Sequence, residues 1–286
     1  MKECKYYKKL KDNGVQCQLC PRFCIIKSGK RGNCCIRENK GGKLFLVVYE
    51  KPCAVHVDPI EKKPLHYFLS GTKTYSIGTA GCNLHCLFCQ NWEISQIKPE
   101  NLPNVKLSPK EVVQEAIKYK CPSISYTYTE PLIAFEYVLD ICKEAKKNNI
   151  KNVMVSNGYI NEAPLKELVK YLDAANIDLK SFDDKFYKEL TGASRDPVLK
   201  TLKILKENKV HLEITTLIIP GFNDNEKMIE KMCKWIKNEL GDVPLHLSRF
   251  FPHYKMKDVE ITPLETLQKA KKIAEKHLSK VHIGNV

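Results

Sequence analysis

The chain has 286 residues, 43% of them hydrophobic, and carries a formal net charge of +14. That apolar content can form a sizeable buried core and excludes a largely disordered chain, and no apolar run approaches the roughly 18 residues of a membrane-spanning helix. The excess charge comes mostly from lysine spread along the predicted helices, with only five arginines, which favours a solvated surface over a nucleic-acid-binding face.

The first residues, MKECKYYKKLKDNG, contain no apolar run, so we expect no signal peptide and a cytoplasmic location. The 13 cysteines are an odd number and cannot all pair within one chain. In a reducing cytosol such thiols more often bind metals or act in catalysis than form disulfides. The isolated Cys142 and Cys233 lie in helical patterns and are expected to be inert core residues.

Residues 1–70 are rich in cysteine and poor in periodic patterns, which predicts a small loop-rich lobe with one clear strand at Lys43–Glu50. We therefore expect two domains, this lobe and a second domain over residues 71–286. A CxxC pair followed by more cysteines at short spacing is typical of metal ligands. The candidate ligands are Cys17, Cys20, Cys24, Cys34 and Cys35, and a second iron–sulfur cluster, a structural zinc and free thiols remain alternatives.

From residue 74 onward, short apolar strands alternate with amphipathic helices. The predicted strands are residues 74–80, 123–129, 151–156, 175–180, 210–219, 243–250 and 280–284. Helices are predicted after a capping box at Ser108–Glu111 and over 131–149, 163–174, 184–208, 225–240 and 262–278. This alternation forms right-handed βαβ units, so the predicted fold class is α/β, as a full or partial (β/α) barrel or an open doubly wound sheet.

Polar side chains recur where these strands end. They are the cysteine loop after Ala80, Glu130, Asn157, Lys180, the Pro220-Gly221 pair and His253. Because the carboxyl ends of parallel strands share one edge of the sheet, we expect one pocket to gather them.

The segment Gly81–Asn91, GCNLHCLFCQN, has the spacing Cys82-x3-Cys86-x2-Cys89. A zinc site usually has four ligands in two close pairs, and His85 lies too near Cys86 in sequence to serve easily as the fourth. Three thiolates can instead hold a four-iron cluster and leave one iron open to a substrate or cofactor. The spacing therefore favours an iron–sulfur cluster over zinc.

This motif, directly after the first strand of a parallel α/β domain, resembles that of the radical S-adenosylmethionine (SAM) superfamily. The resemblance implies a [4Fe–4S] cluster on the three cysteines that binds SAM. It also implies that the reduced cluster cleaves SAM to methionine and a 5′-deoxyadenosyl radical, which abstracts a hydrogen atom. A reductant of the ferredoxin or flavodoxin type and anaerobic chemistry follow from the same resemblance.

Further motifs match SAM-contacting positions of that superfamily. The segment YTYTEP matches its GGEP-like segment, with Tyr128 and Thr129 in place of the glycines, and VSNG matches its ribose-contacting turn. The segment DLK matches a strand-end pair of pyruvate formate-lyase activating enzymes. The resemblance thus implies SAM contacts from Phe88, Thr129, Glu130, Ser156, Asn157, Asp178, Lys180 and His253.

The stretch Val57–Gln96, with NIDLKSF, LIIPGFND and PLHLSRFFPHYKM, resembles the AmmeMemoRadiSam radical SAM enzymes, a group related to pyruvate formate-lyase activating enzyme. The leading expectation is then a radical SAM enzyme that abstracts hydrogen from a substrate the sequence does not identify, and activation of a partner protein, with AMMECR-type or Memo-type proteins as candidates, is one option. Radical modification of RNA, a peptide or a small molecule is one alternative, and a non-catalytic iron–sulfur or zinc scaffold is another. Members of this group continue past the final GNV with another cysteine pair, so we expect the full protein to extend further.

Overall fold

A computed structural model describes all 286 residues of the chain. Its N-terminal segment contains six short strands: β1 (Lys2–Glu3), β2 (Tyr7–Lys9), β3 (Val15–Cys17), β4 (Ile25–Ile26), β5 (Arg37–Lys40) and β6 (Lys43–Leu46). They form two antiparallel three-stranded sheets, ordered β1-β6-β5 and β2-β3-β4. The strand predicted over Lys43–Glu50 is present as β6 but ends at Leu46, because residues 47–50 form a turn with Glu50 at φ 60°. The other five strands of this segment were not predicted, because they are too short to show periodicity.

The main sheet has eight strands. They are β7 (Ala54–Pro59), β8 (Lys73–Gly78), β9 (Ser123–Tyr126), β10 (Lys151–Ser156), β11 (Ala174–Asp178), β12 (His211–Ile218), β13 (Leu245–Arg249) and β14 (Val281–Gly284). Strands β8 to β14 pair in parallel, and β7 pairs antiparallel with β8 along its whole length. Residues 54–59, which the sequence placed in the lobe, are therefore a strand of the main sheet, and the division at residue 70 stays a prediction.

The strand order follows the chain without reversal from β7 to β14. A doubly wound sheet reverses its strand order at a switch point, so that alternative is excluded. Right-handed crossovers that always advance in one direction place the helices on one face and curl the sheet. The two edge strands, β7 and β14, do not pair. The predicted (β/α) fold is confirmed as a partial barrel.

Helices cover the outer face of this sheet. They are α1 (Trp92–Ser95), α2 (Pro109–Lys118), α3 (Phe135–Lys147), α4 (Glu162–Leu168), α5 (Asp184–Phe186), α6 (Asp196–Glu207), α7 (Glu226–Leu240) and α8 (Leu264–Ala274). The predicted capping box is present at the start of α2, where the Ser108 hydroxyl accepts from the Glu111 amide (3.3 Å) and the Glu111 carboxylate accepts from the Ser108 amide (2.7 Å). The isolated Cys142 and Cys233 are fully buried, as predicted.

None of the helices is long and apolar enough to cross a lipid bilayer.

Candidate active site

The three-cysteine loop leaves the carboxyl end of β8 and is held from two sides. A single π-helical turn over Tyr187–Thr191 presents two carbonyls to it: Thr191 accepts from the His85 amide (2.9 Å) and Leu190 accepts from the Leu87 amide (2.9 Å). On the other side, the Lys255 amide donates to the Leu87 carbonyl (3.0 Å). The loop conformation is therefore fixed by segments more than 100 residues away in sequence.

The thiols of this loop have polar neighbours. The Leu84 amide donates to Cys82 Sγ (3.4 Å), Asn157 Nδ2 lies 3.7 Å from the same sulfur, and Cys89 Sγ lies 3.3 Å from Ser95 Oγ. Donors of this kind stabilise a thiolate, which is the form that binds iron. Burial raises the pKa of Cys86 to about 12, and a bound cation acts in the opposite direction.

His85 does not point toward the thiols as a ligand. Its Nδ1 is 2.7 Å from Gln96 Oε1 and its Nε2 is 2.7 Å from Asn33 Oδ1, so both ring nitrogens are engaged within the protein. This agrees with its interpretation as a loop residue that connects the loop to the N-terminal segment.

The donor set fits an iron–sulfur cluster better than a single ion. No three His, Cys, Asp or Glu side chains converge on one ion-sized position in this structure. A zinc ion needs such convergence, with sulfur at about 2.3 Å, whereas a four-iron cluster binds each thiolate to a different iron and spaces the sulfurs apart. Three thiols in one loop at the sheet edge can each supply a ligand to a different iron.

Glu130 links two neighbouring strand ends beside this loop. It is buried, and its carboxylate accepts from the Leu132 amide (3.0 Å), the Ser156 hydroxyl (2.7 Å) and the Asn157 amide (2.8 Å). Burial raises its pKa to about 7 against these three donors, which favour the carboxylate form. A cation that enters the pocket would add to the effect of these three donors and favour the ionised form of Glu130.

Asn157 connects Glu130 to the cysteine loop. Its Nδ2 donates to Asn83 Oδ1 (3.0 Å), while its Oδ1 accepts from the Tyr159 amide (2.8 Å). Gly158 follows at φ +69°, where a Cβ would lie 3.0 Å from an Ile177 methyl group, so the turn requires glycine. The VSNG turn is therefore a rigid support for the loop that carries Cys82.

The two residues that replace glycines in the YTYTEP segment are both accommodated. Tyr128 has φ 71°, a conformation that is uncommon for a side chain of this size. Its hydroxyl donates to Asp58 Oδ2 (2.6 Å) and Lys63 Nζ lies 4.5 Å from its ring centroid, so tertiary contacts hold the strained backbone. The Thr129 hydroxyl donates to the Thr79 carbonyl (2.6 Å) instead of pointing freely into the pocket.

Asp178 and Lys180 form an ion pair at the end of β11, with Lys180 Nζ 3.0 Å from Asp178 Oδ2. Burial opposes the charge on Lys180, but Asp178 more than offsets this and raises the lysine pKa above its usual value. The same Nζ lies 5.7 Å from the ring centroid of buried Phe88, between Cys86 and Cys89. Three predicted residues thus meet at the cysteine loop.

His253 is the predicted residue with the least support from the structure, since its side chain is exposed. Its neighbour Tyr254 stacks on Trp92, with ring centroids 5.3 Å apart and an interplanar angle of 13°. The sequence analysis missed this pair. Trp92 and Tyr254 each lie next to a predicted motif in the sequence, and this position was the signal that could have indicated them.

The N-terminal thiols divide into two groups. Cys17, Cys20, Cys24 and Cys34 line one enclosed cavity, whereas Cys35 does not and its Sγ faces the Asn33 carbonyl at 3.7 Å. None of the five is disulfide-bonded. The predicted set of five therefore reduces to four thiols in one place.

The protein is similar to known radical SAM proteins in sequence and in structure. The radical SAM superfamily model matches residues 76–236. An uncharacterized protein of Methanocaldococcus jannaschii is 48% identical over the whole chain and 86% of its own length. A pyruvate formate-lyase-activating enzyme of Staphylococcus epidermidis is 28% identical over 59% of this chain and 70% of that protein.

A radical SAM methyltransferase from Sphaerobacter thermophilus shares the fold, with a TM-score of 0.60 and 14% identity over 76% of this chain and 67% of that one. The family model covers more than half of the 286 residues, and its range includes the three-cysteine loop, Glu130, Asn157 and the Asp178–Lys180 pair. The chain therefore belongs to the radical SAM superfamily.

Proposed function

We propose that Cys82, Cys86 and Cys89 hold a [4Fe–4S] cluster and that the surrounding strand ends bind SAM for radical hydrogen abstraction. The observation that supports this most directly is the position of the loop. Three thiols from one loop lie at the same sheet edge as Glu130, Asn157 and Lys180. A non-catalytic iron–sulfur scaffold would not need these polar groups at successive strand ends.

Cys82, Cys86 and Cys89 would hold the cluster, which when bound and reduced would supply the electron for SAM cleavage. The residues of this chain bind SAM, orient it and shield it from water. Glu130 supplies a buried carboxylate for the SAM ammonium group, with a charge-assisted hydrogen bond as the expected contact. Ser156 and Asn157 orient the ribose. Thr129, beside Glu130 after β9, and His253, after β13, complete the proposed SAM contacts.

Asp178, Lys180 and Phe88 carry a second part of the proposed site. The Asp178 carboxylate is about one third exposed and Lys180 is 14% exposed, so the ion pair reaches the pocket surface. Lys180 lies over the Phe88 ring, and together they shield one side of the cysteine loop from water. Exclusion of water strengthens every charged contact in the pocket and protects a radical from side reactions.

For the substrate, we propose a partner protein that loses a hydrogen atom, as an activase substrate does. The support is the similarity to pyruvate formate-lyase-activating enzymes over 59% of the chain in the Staphylococcus epidermidis case. The Val57–Gln96 stretch supports the narrower placement among AmmeMemoRadiSam enzymes, with AMMECR-type or Memo-type proteins as partners. A reduced ferredoxin or flavodoxin is the proposed electron donor.

We also propose that the N-terminal thiols hold a second metal centre, an iron–sulfur cluster or a zinc ion. Four thiols around one cavity support this, because thiolates are ligands of both kinds of centre.

The test of the catalytic proposal is anaerobic incubation of the reconstituted chain with dithionite and SAM, followed by detection of 5′-deoxyadenosine and methionine. The expected result is cleavage by the wild type and none by the Cys82→Ala/Cys86→Ala/Cys89→Ala variant, because thiolates hold such clusters. A matched control, Cys233→Ala, removes a buried thiol far from the loop in sequence and should retain cleavage. Cleavage by the triple variant would show that the cluster assignment is wrong.

A further inference from the structure

Four cysteines of the N-terminal segment surround a closed space. Cys17 comes from β3, Cys20 and Cys24 from the turn that follows, and Cys34 from the turn before β5. The Cys17 amide donates to the Cys24 carbonyl (2.9 Å), which closes the first three into a knuckle. Gly32 allows the second turn to approach, since a Cβ there would lie only 3.1 Å from Ile26 Cδ1. The cavity between the thiols has a volume of about 10 Å³.

A buried cation faces this cavity with one donor unused. Arg37 is 1% exposed and lines the cavity. Its two terminal nitrogens bind the Glu136 carboxylate (2.8 and 3.0 Å) and the Ile133 carbonyl (3.0 Å), but its Nε–H has no partner in the protein. A buried N–H without an acceptor is costly, so it indicates a missing acceptor in the cavity. An anionic cluster with sulfur acceptors would satisfy both the charge and the donor.

The size of the cavity distinguishes a cluster from zinc. Four thiolates about 2.3 Å from a zinc ion meet around it and leave no space for a water-sized sphere. The space beside the four thiols has room for about one water-sized sphere, so the lining is not closed tightly around a single ion position. The absence of any three ligands that converge on one ion position agrees with this. Sulfurs that each bind a different iron of a cube have the wider spacing.

We propose that Cys17, Cys20, Cys24 and Cys34 bind a second [4Fe–4S] cluster, with Arg37 as its buried counter-charge. All four irons then have protein ligands, so this centre has no open position for a substrate. It is distinct from the three-cysteine loop and does not depend on the proposed SAM chemistry.

The cavity is coupled to the three-cysteine loop through direct contacts. Asn83, which follows Cys82, lines the cavity. Arg22, also a lining residue, donates to the carbonyls of Asn83 and Gly192, the latter at 2.8 Å. A Cβ on Gly81 would lie 2.5 Å from the Cys34 carbonyl oxygen, so the two cysteine segments touch at backbone distance. Loss of the second centre should therefore disturb the loop that carries Cys82.

The experiment uses the full chain after anaerobic reconstitution with iron and sulfide, with iron and zinc measured per chain. Wild type should bind about eight irons, and the Cys82→Ala/Cys86→Ala/Cys89→Ala variant should keep about four of them, with the Mössbauer signature of an all-thiolate cube. That variant leaves the N-terminal segment unchanged, so its result does not depend on how cavity variants fold. Adding Cys34→Ala to it should remove the remaining iron, whereas adding Cys35→Ala should not.

Three results would overturn the proposal. One is about one zinc and no iron in the triple variant, which would assign the cavity to zinc. Another is the absence of any metal there, which would mean free thiols. The third is equal loss of iron with Cys35→Ala and with Cys34→Ala, which would contradict the choice of ligands. A wild type that binds eight irons but fails to cleave SAM would contradict the proposed function and leave this inference standing.

Discussion

Replacement of Glu130 by alanine should damage the fold of the pocket as well as SAM binding. The structure makes this residue more than a ligand contact, because its carboxylate accepts from Leu132, Ser156 and Asn157 while fully enclosed. Alanine leaves two backbone N–H groups, those of Leu132 and Asn157, buried without an acceptor. The Ser156 hydroxyl can still rotate to another partner.

The magnitude follows from the number of stranded donors. Each buried donor left unsatisfied costs about 1–3 kcal/mol, so two give about 2–6 kcal/mol. Burial of the Glu130 carboxylate is itself unfavourable, as its raised pKa shows. Alanine removes this desolvation cost and so offsets some of the loss. We therefore expect a loss of about 3 kcal/mol in the free energy of unfolding. For a chain of this size that corresponds to a drop in Tm of about 6–12 °C.

The assay is thermal unfolding of the metal-free chain, together with calorimetric titration of the reconstituted chain with SAM. The matched variant is Asp178→Ala, at a side chain that is 36% exposed and bound only to Lys180. It should lower the free energy of unfolding by less than Glu130→Ala does, by about 1–2 kcal/mol, because it leaves no backbone donor without an acceptor but removes the counter-charge of Lys180. It should still weaken SAM binding by about 1.5–3 kcal/mol, the value of a charged hydrogen bond.

The reasoning fails if Glu130→Ala has the Tm of the wild type, because the stranded donors would then have found other partners. If both variants bind SAM with unchanged affinity, the proposed map of the SAM pocket is wrong. A loss of SAM affinity in Glu130→Ala with no loss of stability would make this residue a ligand contact only.

Two further predictions concern buried charges. In the metal-free chain, Glu136→Gln should lower the free energy of unfolding by about 3–5 kcal/mol, because Arg37 then stays buried without any anion. The double variant Arg37→Met/Glu136→Leu should lose much less, and additive losses in urea unfolding would contradict this. Glu213 accepts from the rings of His211 and His246, and these donors hold its pKa below its usual value despite burial. The stabilisation from these bonds to the Glu213 carboxylate is therefore present at neutral pH and is lost as the pH falls below about 4.5. The free energy of unfolding of Glu213→Gln should be lower than that of the wild type by about 1.5–3 kcal/mol at pH 7. On acidification, this variant should lose less stability than the wild type.

Local patterns in the sequence determined the order and type of most elements. The alternation of apolar strands and amphipathic helices predicted every strand from β8 to β14, because burial on one face imposes a short-range period that a single chain displays. The capping box at Ser108 was readable for the same reason, since both partners lie within one helical turn. The spacing of Cys82, Cys86 and Cys89 indicated the superfamily because all three ligands come from one short loop.

Features that depend on residues distant in sequence were decided by the tertiary structure. Strand β7 has one buried residue, the polar Asp58, and pairs only with β8, so its membership in the main sheet follows from a partner and not from its own pattern. The lobe residues that precede β7 showed no sequence pattern that predicts this pairing. The closure of the barrel also depended on which edge strands could pair, and β7 and β14 do not.

The site shows the same division. The sequence identified Cys34 and Cys35 as equivalent candidates, but only the turn geometry, with Cys35 at φ 63°, directs one thiol into the cavity and the other away. The bond from Arg37 to Glu136 spans 99 residues, and the contact of Glu130 with Asn157 joins two strand ends. Side-chain direction and long-range pairing are set by packing across the whole chain. For this reason the sequence could propose candidate residues for the site, while the side chains and backbone groups that contact them were decided by the fold.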